Sequence, residues 1–260
     1  MATGTSGTLR VDLNSDLGES FGAYTIGNDG QVVPVVSSVN VACGMHAGDP
    51  GVMRATVALA AKHGVAVGAH PGYPDLQGFG RRDMALSPQE VYDCVLYQIG
   101  ALGAFCRAAG VELHHVKPHG QLYNRAARDR AAADAVAAAV RDYDASLVLV
   151  GLAGSELVAA GRGAGLRCAE EFFADRAYAC DGTLVPRSQP GAVVADEEAA
   201  IERTVRAVTT GAVRAIDGTD VPVSADTVCV HGDNPHALAF ARALRSALEA
   251  HGVAVAPCPR

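Results

Sequence analysis

The amino-acid sequence predicts an α/β protein that folds as a TIM-like (β/α) barrel, seven-stranded and distorted. Three observations favour this class. The length of 260 residues suits one barrel of this kind. Apolar, strand-like runs alternate with helical patterns at intervals that fit βα units. Polar clusters come at the ends of several of these runs, and a parallel barrel would gather them at its mouth, the C-terminal end of its strands.

Seven strands are predicted from near-continuous apolar runs, which are expected where helices cover both faces of a parallel strand. They lie near Leu9–Leu13, Ser38–Ala42, Val65–Ala69, Leu113–Val116, Leu147–Gly151, Leu166–Ala169 and Val228–His231. The end of the chain repeats a helix end, a glycine and a strand-like run, which indicates an eighth strand at Val253–Ala256.

Helical patterns fill the intervals, and their starts carry capping signals. Asp49-Pro50 and Asn234-Pro235 each place an N-cap residue before a proline, and Ser87-Pro88-Gln89-Glu90 is a capping box. The predicted helices are Pro50–His63, Pro88–Ala109, Asp129–Asp142, Ser155–Ala160, Asp196–Thr210 and Pro235–His251.

No linker divides the chain. Residues 1–7 are predicted to be a flexible tail, and residues 8–260 to form a single barrel domain. Asp181-Gly182 lies between two short β-like runs and predicts a hairpin within an excursion around residues 172–194, which we expect over the barrel mouth.

Composition excludes several classes of protein. Apolar residues make up 49% of the chain and charged residues 19%, which indicates a sizeable core. The net charge of −7 argues against nucleic acid as a partner. No apolar run approaches the roughly 18 residues of a membrane span, so no membrane contact is expected. The seven cysteines are scattered and form no Cys-x-x-Cys pair, which favours reduced thiols and a cytoplasmic location.

The first polar cluster places Asp12, Asn14 and Asp16 at alternating positions, with Glu19 beyond them. Alternation along a strand aims the first three side chains at one face, here the barrel interior. Buried acids are costly unless they bind a metal, a substrate or hydrogen-bond donors, so we favour a functional site. The other interpretation is a turn with caps, because these residue types favour turns.

Later clusters add imidazoles and an ammonium group. His46 follows a Cys-Gly turn, and it is equally compatible with a surface loop; His70 ends a strand-like run. Lys117 and His119 follow the fourth predicted strand, where the lysine would hold a phosphate or carboxylate or would pair with one of the acids.

The second half of the chain contributes two further polar segments. Glu170, Glu171, Asp175, Arg176 and Tyr178 follow the sixth predicted strand, and His231 and Asp233 follow the seventh; Arg187 lies beyond the hairpin. Such a polar run also suits a solvated loop.

A phosphate-binding P-loop, a dinucleotide fingerprint and a nucleophile elbow are all missing from the sequence. A multi-His metal site is compatible with the spacing but not required, and no metal ligand is assigned.

Together these motifs resemble the LamB/YcsF family. The strings Gly78-Phe79-Gly80-Arg81-Arg82 and Lys117-Pro118-His119-Gly120 occur in the family's order, and the likeness covers nearly all of residues 8 to 256. The matching stretches are Asp12–Gly22, Ser38–Met53, Gly68–Arg82, Tyr97–Leu102, His115–Asn124, Glu171–Arg187 and His231–Asn234.

The resemblance implies the A subunit of a bacterial 5-oxoprolinase, with B and C subunits as partners and a barrel related to glycoside hydrolase and deacetylase barrels. The implied reaction is ATP-dependent hydrolysis of the lactam 5-oxo-L-proline to L-glutamate, with release of ADP and phosphate and with Mg²⁺ as the divalent ion. A homo-oligomer is compatible with this assignment.

The resemblance also suggests roles, which we state as hypotheses. Asp16 or Glu19 would activate water, and His46 and His70 would move protons. Lys117 and His119 would stabilise the oxyanion or the transferred phosphoryl group, so that Lys117→Ala should abolish turnover and leave the fold intact. Arg176 or Arg187 would hold the substrate carboxylate. The remaining assignments are Tyr178 and His231 to substrate binding, and Asp12, Asn14, Asn40 and Asp233 to cofactor binding.

Two alternatives remain open. One is a metal-dependent deacetylase or amidohydrolase that needs no ATP. Tightly bound zinc would favour this alternative. Its candidate ligands are Asp12, Asp16, His46, His70 and His231. The other is a barrel without catalytic activity that binds a small acid and scaffolds its partners.

Overall fold

Seven parallel strands close into a barrel in the computed structural model, which describes residues 9–186, 189–230 and 235–260. The strands are β1 Arg10–Leu17, β2 Ser38–Ala42, β3 Ala66–His70, β4 Leu113–Val116, β5 Val148–Leu152, β6 Arg167–Phe173, β7 Ala212–Arg214, β8 Asp220–Pro222, β9 Thr227–Cys229 and β10 Ala254–Val255. The helices are α1 Asp29–Val32, α2 Pro50–His63, α3 Pro88–Ala108, α4 Gly120–Ala126, α5 Arg130–Tyr143, α6 Glu156–Gly163, α7 Glu197–Thr210 and α8 Pro235–Ala250.

The barrel ring runs β1-β2-β3-β4-β5-β6-β9 and closes by pairing of β9 with β1. In the register of that closure Asp12 lies opposite Thr227, and Asn14 lies opposite Cys229. Strand β10 adds to the start of β1, where Arg10 and Val11 pair with Ala254 and Val255. The prediction of a seven-stranded (β/α) barrel is confirmed, and the predicted eighth strand is present outside the ring.

The core surrounds the barrel, between its strands and its helices. Val11 and Leu13 point outward from β1 into this core and are fully buried, as are Ile99 and Leu102 of α3. Burying side chains of this size stabilises a fold by about 1.5–3 kcal/mol each. The outward residues of the strands thus hold the helices, and the inward positions remain open to polar side chains.

The caps predicted for α2 and α3 are present, whereas the predicted cap Asn234 lies outside the described residues. The side chain of Asp49 accepts a hydrogen bond from the Val52 backbone at the start of α2, and Ser87 and Glu90 form the capping box of α3. Gly64 ends α2 in the left-handed conformation, with φ of 65°. These local signals explain why the helix starts agree with the sequence-based prediction to within one residue.

Two strands extend further than predicted. β1 continues to Leu17, so Asp12, Asn14 and Asp16 lie within the strand and do not follow it. β6 continues to Phe173, so Glu171 lies inside the barrel wall. Each extension carries an inward polar side chain, and the two meet inside the barrel, where Asn14 donates to Glu171.

Several short elements were not predicted. Helices α1 and α4 have four and seven residues. Strands β7 and β8 form an antiparallel hairpin whose turn contains Asp217-Gly218, the same signal that marks the hairpin in the excursion. In that excursion Tyr178 bridges to Leu184, and Ala179 bonds to Thr183, around the turn at Asp181-Gly182.

None of the described helices is long and apolar enough to cross a membrane. The predicted tail of residues 1–7 lies outside the described part of the chain.

Candidate functional site

A buried network of charged and amide side chains lies inside the barrel just below the mouth. It is centred on Lys117, the first residue after β4, which is 3% exposed. Its Nζ lies 2.7 Å from Oε1 of Glu171 and 3.1 Å from Oδ1 of Asp16. The same ammonium donates to Oδ1 of Asn14 at 3.1 Å and contacts Sγ of Cys229 at 3.3 Å.

The charge of Lys117 is maintained by its neighbours. Burial alone would lower the pKa of this ammonium, but the carboxylates of Asp16 and Glu171 outweigh it, and the pKa lies well above its usual range. All donors of the ammonium have partners within the protein. Lys117 is therefore a fixed charge partner for the two acids, and the predicted direct contact with an oxyanion or phosphoryl group would require it to leave them.

This geometry corrects one expectation from the sequence. Removing Lys117 would leave the carboxylate of Glu171, which is fully buried, without its counter-charge. Breaking a buried ion pair from one side costs about 3–5 kcal/mol. Lys117→Ala should therefore weaken the fold as well as abolish turnover.

Asn14 and Asn40 support the network from below the mouth. Asn14 donates to Glu171 and Thr227, and its oxygen accepts from Asn40 and Lys117. Asn40 donates to Asn14 and Asp16, and its oxygen bonds to Nε2 of His115. Both amides are buried, and each of their nitrogen and oxygen atoms has a partner within the protein. They position Asp16 and Lys117 and offer no open atom for the predicted contact with a cofactor.

Asp12 lies deeper in the barrel, at the start of β1. Its carboxylate accepts hydrogen bonds of 2.6–2.7 Å from the hydroxyls of Ser37, Ser38 and Thr227. Burial raises the pKa of Asp12, although these hydroxyls act in the opposite direction. The residue fastens β1 to β9 and to the start of β2, and the structure does not bring it to the mouth where a cofactor would bind.

Three histidines meet at the mouth beside Asp16. Nε2 of His70 lies 3.2 Å from Oδ2 of Asp16 and 3.0 Å from Nδ1 of His119. The ring of His46 stacks on that of His119 with 3.8 Å between centroids. The prediction that His46, His70 and His119 share one location is confirmed, although they come from three different loops and strands.

Burial controls the ionisation of this group. It lowers the pKa of His119 to about 3, helped by the neighbouring His70, and it lowers the pKa of His46 well below the usual range. Burial also raises the pKa of Glu19 to about 7, with a further contribution from the charge of Asp16. Among these three groups Glu19 exchanges its proton near neutral pH, whereas His46 and His119 are neutral there.

Asp16 connects the two parts of the site. One carboxylate oxygen contacts Lys117 and Asn40, and the other faces His70. The side chain is 18% exposed, more than that of Lys117, Glu171 or His70. Asp16 is thus the carboxylate that the buried network presents at the mouth.

Two predicted substrate-binding residues have structural roles. Tyr178 is fully buried, its ring stacks on Phe172, and its hydroxyl accepts a hydrogen bond from the Phe173 backbone. Ring and hydroxyl are thus engaged in packing, and the assignment of Tyr178 to substrate binding stays a prediction. The guanidinium of Arg176 donates to the carbonyls of Val185 and Ala192 and so braces the excursion. Arg187, His231 and Asp233 lie outside the described residues.

Two members of the site received no role from the sequence: Glu171, which it placed only in a polar run, and Tyr123, which it did not single out. Glu171 forms the shortest contact with Lys117. The Tyr123 hydroxyl is buried beside it, and burial together with the charge of Glu171 raises the pKa of this hydroxyl well above its usual range. The alternation Ala169, Glu171, Phe173 would have identified the inward acid had β6 been predicted at its full length.

A cleft of about 1350 Å³ opens beside the site. It is lined by His119 and Tyr123, by the loop after β5, and by residues 180–184 of the excursion. The excursion therefore lies next to the mouth, where it narrows the approach to the histidines.

Comparison with known proteins places this geometry in a family. The model of the LamB/YcsF family matches residues 11–260. A protein of Tolumonas auensis, named as the A subunit of 5-oxoprolinase, is 59% identical over 246 residues, which cover 95% of this chain and 98% of that one. The protein of the same name from Bacillus subtilis is 58% identical over 247 residues, covering 95% and 96%.

A solved structure agrees with the fold over the same extent. The crystal structure of a lactam utilization protein from Thermus thermophilus superposes with a TM-score of 0.91 at 55% identity, covering 95% of this chain and 99% of that one. The family model and these relatives span nearly the whole chain, and we conclude that the protein belongs to the LamB/YcsF family.

Proposed function

We propose that the protein is the A subunit of an ATP-dependent 5-oxoprolinase, which hydrolyses 5-oxo-L-proline to L-glutamate and releases ADP and phosphate. The observation that carries the proposal is the contact of Asp16 with both Lys117 and His70 at the barrel mouth. It is supported by relatives that are 56–59% identical to this chain and are named as the A subunit of 5-oxoprolinase.

The chemistry explains why such a site would need ATP. An unstrained lactam amide is a poor electrophile, and its ring nitrogen is a poor leaving group. Phosphorylation of the lactam oxygen by ATP, with release of ADP, activates the ring carbon toward attack by water. The adduct opens by cleavage of its C–N bond and leaves an acyl phosphate of glutamate. A second water hydrolyses this acyl phosphate to L-glutamate and phosphate, so the atoms balance.

Within this scheme Asp16 is the base that accepts a proton from the attacking water. Lys117 and Asn40 hold one of its oxygens, and His70 lies beside the other. A base held in this way can contribute a factor of about 10²–10⁴ in rate. Once protonated, Asp16 can return that proton to the ring nitrogen as the C–N bond breaks.

Lys117 and Glu171 act through Asp16 in this proposal. Their buried charges fix the position of the carboxylate and exclude water from its inner side. His119, which donates to the Phe79 carbonyl, places its Nδ1 3.0 Å from the same Nε2 of His70 that faces Asp16. These are positioning roles, which differ from the direct phosphoryl contact expected from the sequence.

ATP, Mg²⁺ and the B and C subunits complete the proposal. Magnesium bound to ATP phosphates needs only one or two protein carboxylates, and Asp16 is a carboxylate at the mouth that can supply an oxygen. The relatives are named as one lettered subunit of 5-oxoprolinase, which supports a role within a multi-subunit enzyme.

The test is an assay of glutamate and ADP from 5-oxo-L-proline and Mg-ATP. It compares the chain alone, the chain with candidate B and C subunits, and both mixtures without ATP. We expect coupled formation of glutamate and ADP only in the complete mixture. Absence of ADP under every combination would overturn the proposal.

One observation favours a second candidate function, a metal-dependent amidohydrolase that needs no ATP. Glu19, His46, His70 and His119 form a cluster of ligand types that bind transition metals. Its sign in the same assay would be glutamate formation without ATP. The ligand set differs from that expected from the sequence, because Asp12 lies too deep in the barrel.

A further inference from the structure

The side chains of Glu19, His46, His70 and His119 lie around one point at the mouth. One ligand atom from each lies within 4.8 Å of the ligand atoms of the other three. Ligands on opposite sides of an ion with bonds of about 2.1 Å are about 4.2 Å apart, so the four groups can surround a single ion once the His46 ring, which stacks on His119, rotates toward it.

Hydrogen bonds to the backbone orient two of the imidazoles toward this point. Nδ1 of His70 lies 2.7 Å from the carbonyl oxygen of Lys117, and Nε2 of His119 lies 2.8 Å from that of Phe79. Because a carbonyl only accepts, each of these nitrogens carries the proton. In the neutral rings the other nitrogens, Nε2 of His70 and Nδ1 of His119, then present lone pairs to each other at 3.0 Å.

Facing lone pairs need a positive species between them. Oδ2 of Asp16 adds a third acceptor, 3.2 Å from the same Nε2 of His70. A metal ion or a shared proton would satisfy all three. The bonds from the outer ring nitrogens to carbonyls are the arrangement by which proteins orient metal-binding histidines.

His46 provides an independent observation. It is fully buried, yet neither ring nitrogen has a hydrogen-bond partner among the described residues. Its ring lies against two glycines. A Cβ at Gly72 would lie 2.5 Å from Nδ1 of His46, and one at Gly80 would lie 2.8 Å from its Cβ. The chain thus leaves room for an imidazole at a place where only an added ligand would satisfy it.

We propose that this chain binds one divalent transition-metal ion, of the zinc, cobalt or manganese type, through Glu19, His46, His70 and His119. Three imidazoles and one carboxylate suit these ions, whereas Mg²⁺ prefers an all-oxygen shell. The proposed ion is therefore distinct from the Mg²⁺ that accompanies ATP. The inference concerns binding and does not rest on the proposed function.

The experiment measures metal binding by the full-length chain after treatment with a chelator. Co²⁺ is titrated in the presence of excess Mg²⁺, followed by calorimetry and by the visible absorption of the ion, and Zn²⁺ is then used to displace it. We expect one Co²⁺ per chain, with an absorption spectrum that shows nitrogen ligands, and no competition from Mg²⁺.

Variants locate the ion. His46→Ala removes a buried ligand, and Glu19→Gln removes a half-buried one with little change in shape. If the His46→Ala chain does not fold, the Glu19→Gln chain still tests the site. Each should weaken Co²⁺ binding at least about tenfold. The matched control is His63→Ala, at the exposed end of α2, which should bind as the wild type does.

Two results would overturn the proposal. One is a wild-type chain that binds no Co²⁺ under these conditions, which would assign the space between His70 and His119 to a shared proton. The other is undiminished binding by folded Glu19→Gln and His46→Ala chains. Neither result depends on glutamate formation, so failure of this inference is distinguishable from failure of the proposed function.

Discussion

Nζ of Lys117 lies 2.7 Å from Oε1 of Glu171, a carboxylate with no exposed surface. The pair joins the end of β4 to the end of β6 across the barrel interior, and it places a positive charge under Asp16. Because both partners are buried, removing one of them leaves the other as an uncompensated buried charge, which destabilises the fold.

Replacing Lys117 with Met keeps the volume of the side chain and removes its charge. We expect a loss of about 3–5 kcal/mol in the free energy of unfolding, because Glu171 is left without a counter-charge. The double variant Lys117→Met, Glu171→Gln should recover at least about 1 kcal/mol of that loss, since the uncompensated charge is gone. Denaturant unfolding measures both. Equal stability of the single and double variants would show that the pair is not coupled.

Tyr178 tests whether the excursion binds substrate or braces the fold. Tyr178→Phe leaves the Phe173 backbone N–H buried without its acceptor, which should cost about 1–3 kcal/mol of stability. The KM for 5-oxo-L-proline should not change, because the hydroxyl is already bonded to the Phe173 backbone. A large rise in KM without loss of stability would restore the substrate-binding role.

Gly68 in β3 has no room for a side chain. A Cβ there would lie 2.1 Å from Nε2 of His115, the atom that bonds Asn40. Gly68→Ala should therefore destabilise the protein by about 1–3 kcal/mol and should lower turnover, because Asn40 holds Asp16.

The control for that substitution is Gly100→Ala, within α3, where a Cβ would meet nothing within 4 Å. This change should stabilise the protein by about 0.4–1 kcal/mol and leave turnover unchanged. Thermal unfolding with an activity assay compares the two variants. A neutral effect of Gly68→Ala would contradict the described packing of His115.

Asp12 should make stability depend on pH. Burial raises its pKa in the folded protein above the value of 3.8 that applies when the chain is unfolded. The folded state therefore binds the proton more tightly, and the stability contributed by this group is complete below 3.8 and is lost as pH rises through the folded value. Measured against Asp12→Asn, the wild type should lose stability between those two values. A difference that is constant with pH, or grows in the opposite direction, would contradict this environment for Asp12.

Much of the barrel was predictable because its outward residues are apolar. The predicted bounds of β2, β4 and α2 match the structure. The ends of β1 and β6 were not predictable from hydrophobicity, since their last residues carry acids and amides toward the interior. Polar residues in such a strand resemble a loop until the partners across the barrel are known.

The sequence predicts which residues form the site better than it predicts what each of them does. Strand topology brings Asp16, His70, Lys117 and His119 together, as the sequence predicts. Whether a side chain faces the mouth or supports it depends on burial and on contacts distant in sequence. Lys117 pairs with Glu171, and the ring of Tyr178 stacks on Phe172. No pattern in the neighbouring sequence indicates either contact.

The central claim is that Asp16 carries out the chemistry of lactam opening. The most direct measurement compares glutamate formation by wild-type, Asp16→Asn and Asp134→Asn chains, each assembled with B and C subunits and supplied with 5-oxo-L-proline and Mg-ATP. Asp134 is exposed on α5 and serves as the control. We predict that Asp16→Asn lowers turnover by about 10²–10⁴ while Asp134→Asn matches the wild type. A folded Asp16→Asn complex with wild-type turnover would contradict the account.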